Sequence, residues 1–270
     1  MYYGFHPALG KGVAVKVLPY GLIEKDATIL ERFSREAQLA GQVRSNHLVQ
    51  VIQISEEVGL HYSVMEFVDG LSAREYLEAT QLTGTIGLPE REALSICIAA
   101  TTGLVAAHEC AIIHRDIKPH NIMIPWRDPL TRTELGFELA KLTDLGLARD
   151  SYPHPEHPKP EEVTAHGQAM GTLGYMAPEQ IEDARQADKR SDVFSMGATL
   201  HALLSGQAPF YRQNLMQAVL ATFNSPHPTL SPNRTDLSRP TLELIDRCLA
   251  KNPDARYPDA AALLAALQSC

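Results

Sequence analysis

The chain has 270 residues, 44% of them apolar and 21% charged, which excludes wholesale disorder and sets the scale at one or two domains. Lys and Arg number 24 against 32 Asp and Glu, so the net charge of −8 offers no basic footprint for nucleic acid or an anionic membrane. Four scattered cysteines, with no CxxC pair, read as reduced thiols of a cytoplasmic protein. The start, MYYGFHPALGKG, lacks the basic and apolar regions of a secretory leader. The apolar stretch 93–107 is shorter than the ~20 residues a bilayer needs, so no membrane segment is expected.

In chain order, residues 1–68 read as strands with one helix among them. GVAVKVLP is predicted as a strand that is apolar on both faces and closed by Pro19. Residues 25–43 carry Ile29, Leu30, Phe33, Ala37 and Ala40 on one stripe, which predicts a helix. HLVQVIQIS and HYSVMEFV read as strands flanking the turn EEVG. From Ser72 onward the pattern turns helical, with helices expected at 73–79, 90–109, 191–204, 214–223, 239–250 and 258–268. The shift near residues 68–72 suggests two lobes joined by a short connector. Residues 125–136 read as a surface loop, and the prolines at 153, 155, 158 and 160 exclude regular structure from the segment 151–171.

Three clusters carry chemistry. In VAVKVL, strand alternation puts Lys16 on the face of Ala14 and Leu18. It is either a snorkelling edge lysine or one partner of an ion pair with Glu36 that aims it at an anionic ligand. In His114-Arg115-Asp116-Ile117-Lys118-Pro119-His120-Asn121, Asp116 and Asn121 can face one cleft. There a carboxylate can accept a hydroxyl proton, and a carboxamide oxygen can ligate a hard cation. In Leu142-Thr143-Asp144-Leu145-Gly146, a carboxylate precedes a glycine turn, which suits a second Mg²⁺ ligand or a plain structural turn.

The order of these clusters resembles the eukaryotic-like (Hanks-type) protein kinase family, in its bacterial serine/threonine form. The matches are VAVK at 13–16, Glu36, HRDIKPHN at 114–121, DLG at 144–146, APE at 177–179, SDVFSMG at 191–197 and Arg256. The resemblance implies an α+β, two-lobed fold. A small β-rich N-lobe would span 1–68 without its first strand, and the hinge and larger helical C-lobe would span 69–270, as one catalytic domain. It implies ATP- and Mg²⁺-dependent phosphorylation of serine or threonine on protein substrates. Lys16 would contact the ATP phosphates and pair with Glu36, while Ala14, Glu66, Val68 and Met123 would hold adenine, with Met65 as gatekeeper. Asp116 would be the catalytic base, Lys118 would steady the transferring phosphoryl group, and Asn121 and Asp144 would hold Mg²⁺. Thr172 would help to shape the peptide site, and Glu179 and Arg256 would anchor the activation segment. Ala40, Val51, His114, Leu145 and Asp192 would form an internal spine. A phosphorylated Thr164, read by Arg115, would switch the enzyme on.

Two departures from the family stand out. Counting back from Lys16, the family's glycine-rich phosphate loop would precede Met1. The readings are a start placed too late or a true loss, and the latter would leave a catalytically impaired binding or scaffold protein. Leu145 replaces the usual Phe of the metal-binding turn, and both are large and apolar.

Overall fold

The structure, a computed structural model, describes residues 1–18, 30, 33, 34, 38, 40–145, 172–230 and 234–270. A four-stranded antiparallel sheet is built from β1 (Tyr2–His6), β2 (Lys11–Val17), β3 (Val51–Glu57) and β4 (Leu60–Glu66), in the order β1-β2-β4-β3. The sequence reading missed β1: Tyr2, Tyr3 and Phe5 do not alternate with polar residues, and Gly4 interrupts them. It forms because its register with β2, from Tyr2↔Val15 to His6↔Lys11, follows a tight turn closed by Gly10 at φ 61°. β3 and β4 meet in a two-residue hairpin whose central residues, Val58 and Gly59, both have positive φ (52° and 77°).

The strand expected at 47–55 begins only at Val51. Upstream of it, His47 and Val49 give their backbone groups to Leu142 instead of β4. Of the helix expected at 25–43, Leu30, Phe33, Ser34, Gln38 and Ala40 are helical, and a turn at Gly41 and Gln42 ends it before Val43. Glu36, Ser151 and Thr164 lie outside the described residues.

The rest is helical around a small antiparallel sheet of β5 (Gly70–Ser72), β6 (Ile122–Pro125) and β7 (Lys141–Leu142). The helices are α1 (Ala73–Gln81), α2 (Glu90–Glu109), α3 (Pro178–Glu182), α4 (Lys189–Ser205), α5 (Leu215–Asn224), α6 (Arg239–Cys248) and α7 (Ala260–Leu267). α4 is the central post. Asp188 and Ser191 form its capping box and Gly206 its left-handed C-cap. Every residue from Ser191 to Leu204 is buried. Such a helix tolerates Ser195 and Thr199 because each hydroxyl donates to the carbonyl four residues back. Phe194 stacks on Phe210 with ring centroids 5.8 Å apart. Gly103 lets α2 approach the carbonyl of His47 where a Cβ would collide, so the connection 41–50 leans directly on the helical part.

Candidate active site

Residues 110–121 leave α2 and are shaped from below by one carboxylate. Asp192 on α4 is fully buried, and its Oδ1 accepts from the amide of Arg115 at 2.8 Å. Its Oδ2 accepts from the amide of His114 at 2.8 Å and from His108 Nε2 at 2.9 Å. His108 Nδ1 in turn accepts from the amide of Ala260, so α7 braces the same point. These bonds hold Arg115 at φ 63°, a left-handed conformation unusual for a residue other than glycine. Burial lowers the pKa of His114 and keeps the ring neutral, although Asp192 and Asp116 pull the other way. Its Nδ1 accepts from the amide of Asp116 and its Nε2 donates to the carbonyl of Thr143 at 3.1 Å. The ring therefore joins the two chemistry-bearing turns.

Above this base the polar side chains converge. Asn121 Nδ2 donates to the carbonyl of Asp116 at 2.8 Å and to its Oδ2 at 2.9 Å, which turns the carboxamide oxygen toward other use. Lys118 Nζ lies 3.1 Å from Asp116 Oδ2 and donates to Thr172 Oγ1 at 3.1 Å. The amide of Thr143 donates to the carbonyl of Asn121, placing Asp144 beside the loop at φ 56°. Lys16 Nζ reaches across from β2 to Asp144 Oδ1 at 2.7 Å. Alternation carries Lys16 and Ala14 on one face of β2, and Ala14 is paired with Met65 in the register. Phe33, Ala40, Val51, Met65 and Leu145 line a cavity behind the ammonium, so the large apolar residue of DLG is used there. Met123 lies on β6, paired with Ser72 and Lys141, and Val68 is buried just after β4.

Asp144 and Asn121 offer oxygen donors only, the chemistry that Mg²⁺ accepts and zinc or copper would not select. Among the described residues no three His, Cys, Asp or Glu side chains cluster as a metal cage. A cation held by one carboxylate and one carboxamide takes its remaining ligands from water and substrate phosphates.

A second charged cluster fixes the segment that returns from Thr172. Arg256, buried on the floor, donates to Glu179 through Nη1 at 2.7 Å and Nη2 at 3.0 Å. Its other donors reach the carbonyls of Ala250, Arg190 and Lys251, and Ser191 completes the shell of Glu179. Burial alone would raise the Glu179 pKa, but the guanidinium bonds and charge hold it below its ordinary 4.5. Arg256→Ala is therefore expected to destabilise the protein by about 3–5 kcal/mol, since it strands a largely buried carboxylate. The contribution of Glu179 is complete above about pH 4.5 and fades as pH falls through the lower folded value. A melting curve series from pH 7 to 3 reads both effects, and in Glu179→Gln the acid limb should flatten.

The sequence reading did not single out His108, Lys141 or Gln180, whose Nε2 donates to the carbonyl of Arg115 at 2.7 Å. No local pattern marks them, because each acts on backbone or charge brought in by another element. All four cysteines are free, and no helix among the described residues is long and apolar enough to cross a membrane.

With this geometry in place, the protein kinase domain family matches residues 1–266. The chain is 31% identical over 264 residues to a probable serine/threonine-protein kinase, pknA2, of Bifidobacterium longum, covering 97% of this chain and 32% of that protein. It is 29% identical over 252 residues to the serine/threonine-protein kinase PrkC of Bacillus subtilis, covering 93% of this chain and 35% of that protein. The chain thus spans about a third of the length of these relatives. Among solved structures it is similar to the PknI kinase domain of Mycobacterium tuberculosis, at TM-score 0.72 and 25% identity over 99% of this chain and 89% of that one. Rad53 in complex with AMP-PNP is similar at TM-score 0.73 and 25% identity, over 97% of this chain and 59% of that one.

Proposed function

The chain belongs to the protein kinase domain family, and from that premise we propose that it transfers the γ-phosphoryl group of ATP to serine or threonine hydroxyls of protein substrates. The observation that carries this reading is the convergence of Asp116, Lys118, Asn121 and Thr172 from one side with Lys16 and Asp144 from the other. Asp116 accepts the proton of the attacking hydroxyl, and Asn121 holds its carboxylate in place. Lys118 neutralises charge on the moving phosphoryl group, and its bond to Thr172 ties that charge to the peptide side of the cleft. Lys16 contacts the phosphates that stay behind. Ala14 and Met123 sandwich adenine, and the backbone of Glu66 and Val68 meets its edge. Asn121 and Asp144 would hold Mg²⁺, which would supply a positive charge to screen the phosphates. The free thiols and the use of ATP support a cytoplasmic setting for this activity. Nothing in the charge pattern calls for a nucleic-acid partner.

The test is phosphotransfer from γ-labelled ATP, with and without Mg²⁺, to a serine- and threonine-rich protein, followed by phosphoamino-acid analysis. Label on serine or threonine that disappears with chelator is the expected result. Lys16→Met should lower kcat/KM by about one to two orders of magnitude, the worth of a charge-assisted contact of roughly 1.5–3 kcal/mol. ATP binding with no transfer under any condition would return the scaffold reading.

A further inference from the structure

β4 ends at Glu66, where the chain leaves the first sheet, and β5 starts the second sheet at Gly70. Residues 67–69 are therefore the hinge between them. On the opposite wall, β7 runs directly into Asp144. Lys141 on β7 reaches back to the hinge, with Nζ 2.6 Å from Glu66 Oε1. The two side chains are only 19% and 28% exposed, so water screens the pair less than a surface bridge.

The pair does not stand alone. Glu66 Oε2 accepts from the amide of Gln50, and the amide of Glu66 donates to the carbonyl of Gln50 at 2.8 Å. The carboxamide of Gln50 is itself turned back onto the carbonyls of Ser45 and Leu48. The same connection meets β7 again. The amide of Val49 donates to the carbonyl of Leu142, and the amide of Leu142 donates to the carbonyl of His47. His47 Nδ1 completes the set on the carbonyl of Ala140. Hinge, connection 45–50 and β7 thus form a closed ring of bonds, and Lys141–Glu66 is its one ionic link among the described residues.

We propose that Lys141 is a positioning residue: through Glu66 it holds the adenine-facing hinge at a set distance from the metal-facing Asp144, so that a nucleotide meets both at once. The reasoning is geometric. Lys141 precedes Asp144 by three residues and Glu66 begins the hinge, so rocking one sheet against the other must stretch this bridge. A ligand that spans both ends gains from the set distance, because the cleft no longer spends binding energy on ordering itself. A ligand that touches only one end gains nothing. The proposal rests on the nucleotide reading above, and its test has an arm that does not.

Calorimetric titration of Lys141→Met with Mg²⁺·AMP-PNP and with adenosine compares a ligand that spans both ends with one that does not. Affinity for AMP-PNP should fall about tenfold while that for adenosine stays within about twofold, and Lys141→Arg should restore most of the loss. Equal loss for both ligands, or no loss for AMP-PNP, overturns the proposal. The second arm is amide hydrogen exchange on the ligand-free protein. Lys141→Met should speed exchange at Val49 and Leu142 about tenfold relative to the core amides of α4, and unchanged exchange there overturns the proposal. Should the unmodified protein bind neither ligand, the nucleotide reading fails, and the exchange arm still decides the role of Lys141.

Discussion

Asp116→Asn is expected to lower kcat by about two to four orders of magnitude while the melting temperature barely moves. The two side chains have the same shape, and asparagine keeps an oxygen to accept from Asn121 Nδ2, whose second bond goes to the main chain. What disappears is the charge: the position no longer accepts a proton, and Lys118 loses the carboxylate 3.1 Å away. Steady-state phosphotransfer and thermal unfolding, measured on the same preparation, separate the two quantities. An unchanged kcat would remove Asp116 from the chemistry, and an unfolded variant would assign it a structural role.

Asp192→Ala should do the reverse, striking the fold and the activity together. Its carboxylate is fully buried and accepts from two amides and one imidazole. Removal leaves those donors in a dry interior, at about 1–3 kcal/mol each. The summed cost of roughly 3–9 kcal/mol is a large share of an ordinary domain's stability of about 5–15 kcal/mol. The amide bonds that Asp192 makes to His114 and Arg115 then no longer offset the left-handed backbone at Arg115, so the loop should relax and the spacing of Asp116 from Asp144 should be lost. Denaturant titration with phosphotransfer on the residual folded fraction measures both. Stability within about 1 kcal/mol of the parent would show that the loop is held by other means.

The legible parts of this molecule were those whose chemistry is contiguous. Residues 114–121 carry a carboxylate, a cation and a carboxamide in one stretch, and the structure brings Lys118 and Asn121 to the carboxylate of Asp116, at 3.1 and 2.9 Å. α2 was read to its observed bounds, Glu90–Glu109, because a 20-residue helix gives periodicity many turns to declare itself. Short or edge elements were harder. β1 carries too few residues for a period to show, and α6 stops at Cys248, two residues before the expected end. Contacts across the chain were out of reach of any local pattern. Lys16 was expected to face Glu36, and the partner that the described residues provide is Asp144, 128 positions away. The Lys141–Glu66 bridge spans 75 positions and joins two residue types that are common on any surface. Only the fold makes that pair special.

The debt of the loop to Asp192 also has a meaning in time. A chain leaves the ribosome from its N-terminus, and its domains tend to form in that order. Here His114 and Arg115 emerge 78 and 77 residues ahead of the carboxylate that bends them. The amide of Ala260 that braces His108 follows 152 residues behind it. A growing chain that already displays Lys16, Asp116 and Asp144 therefore still lacks the means to set their spacing. The loop takes its set shape only once α4 has been made and has docked beneath it.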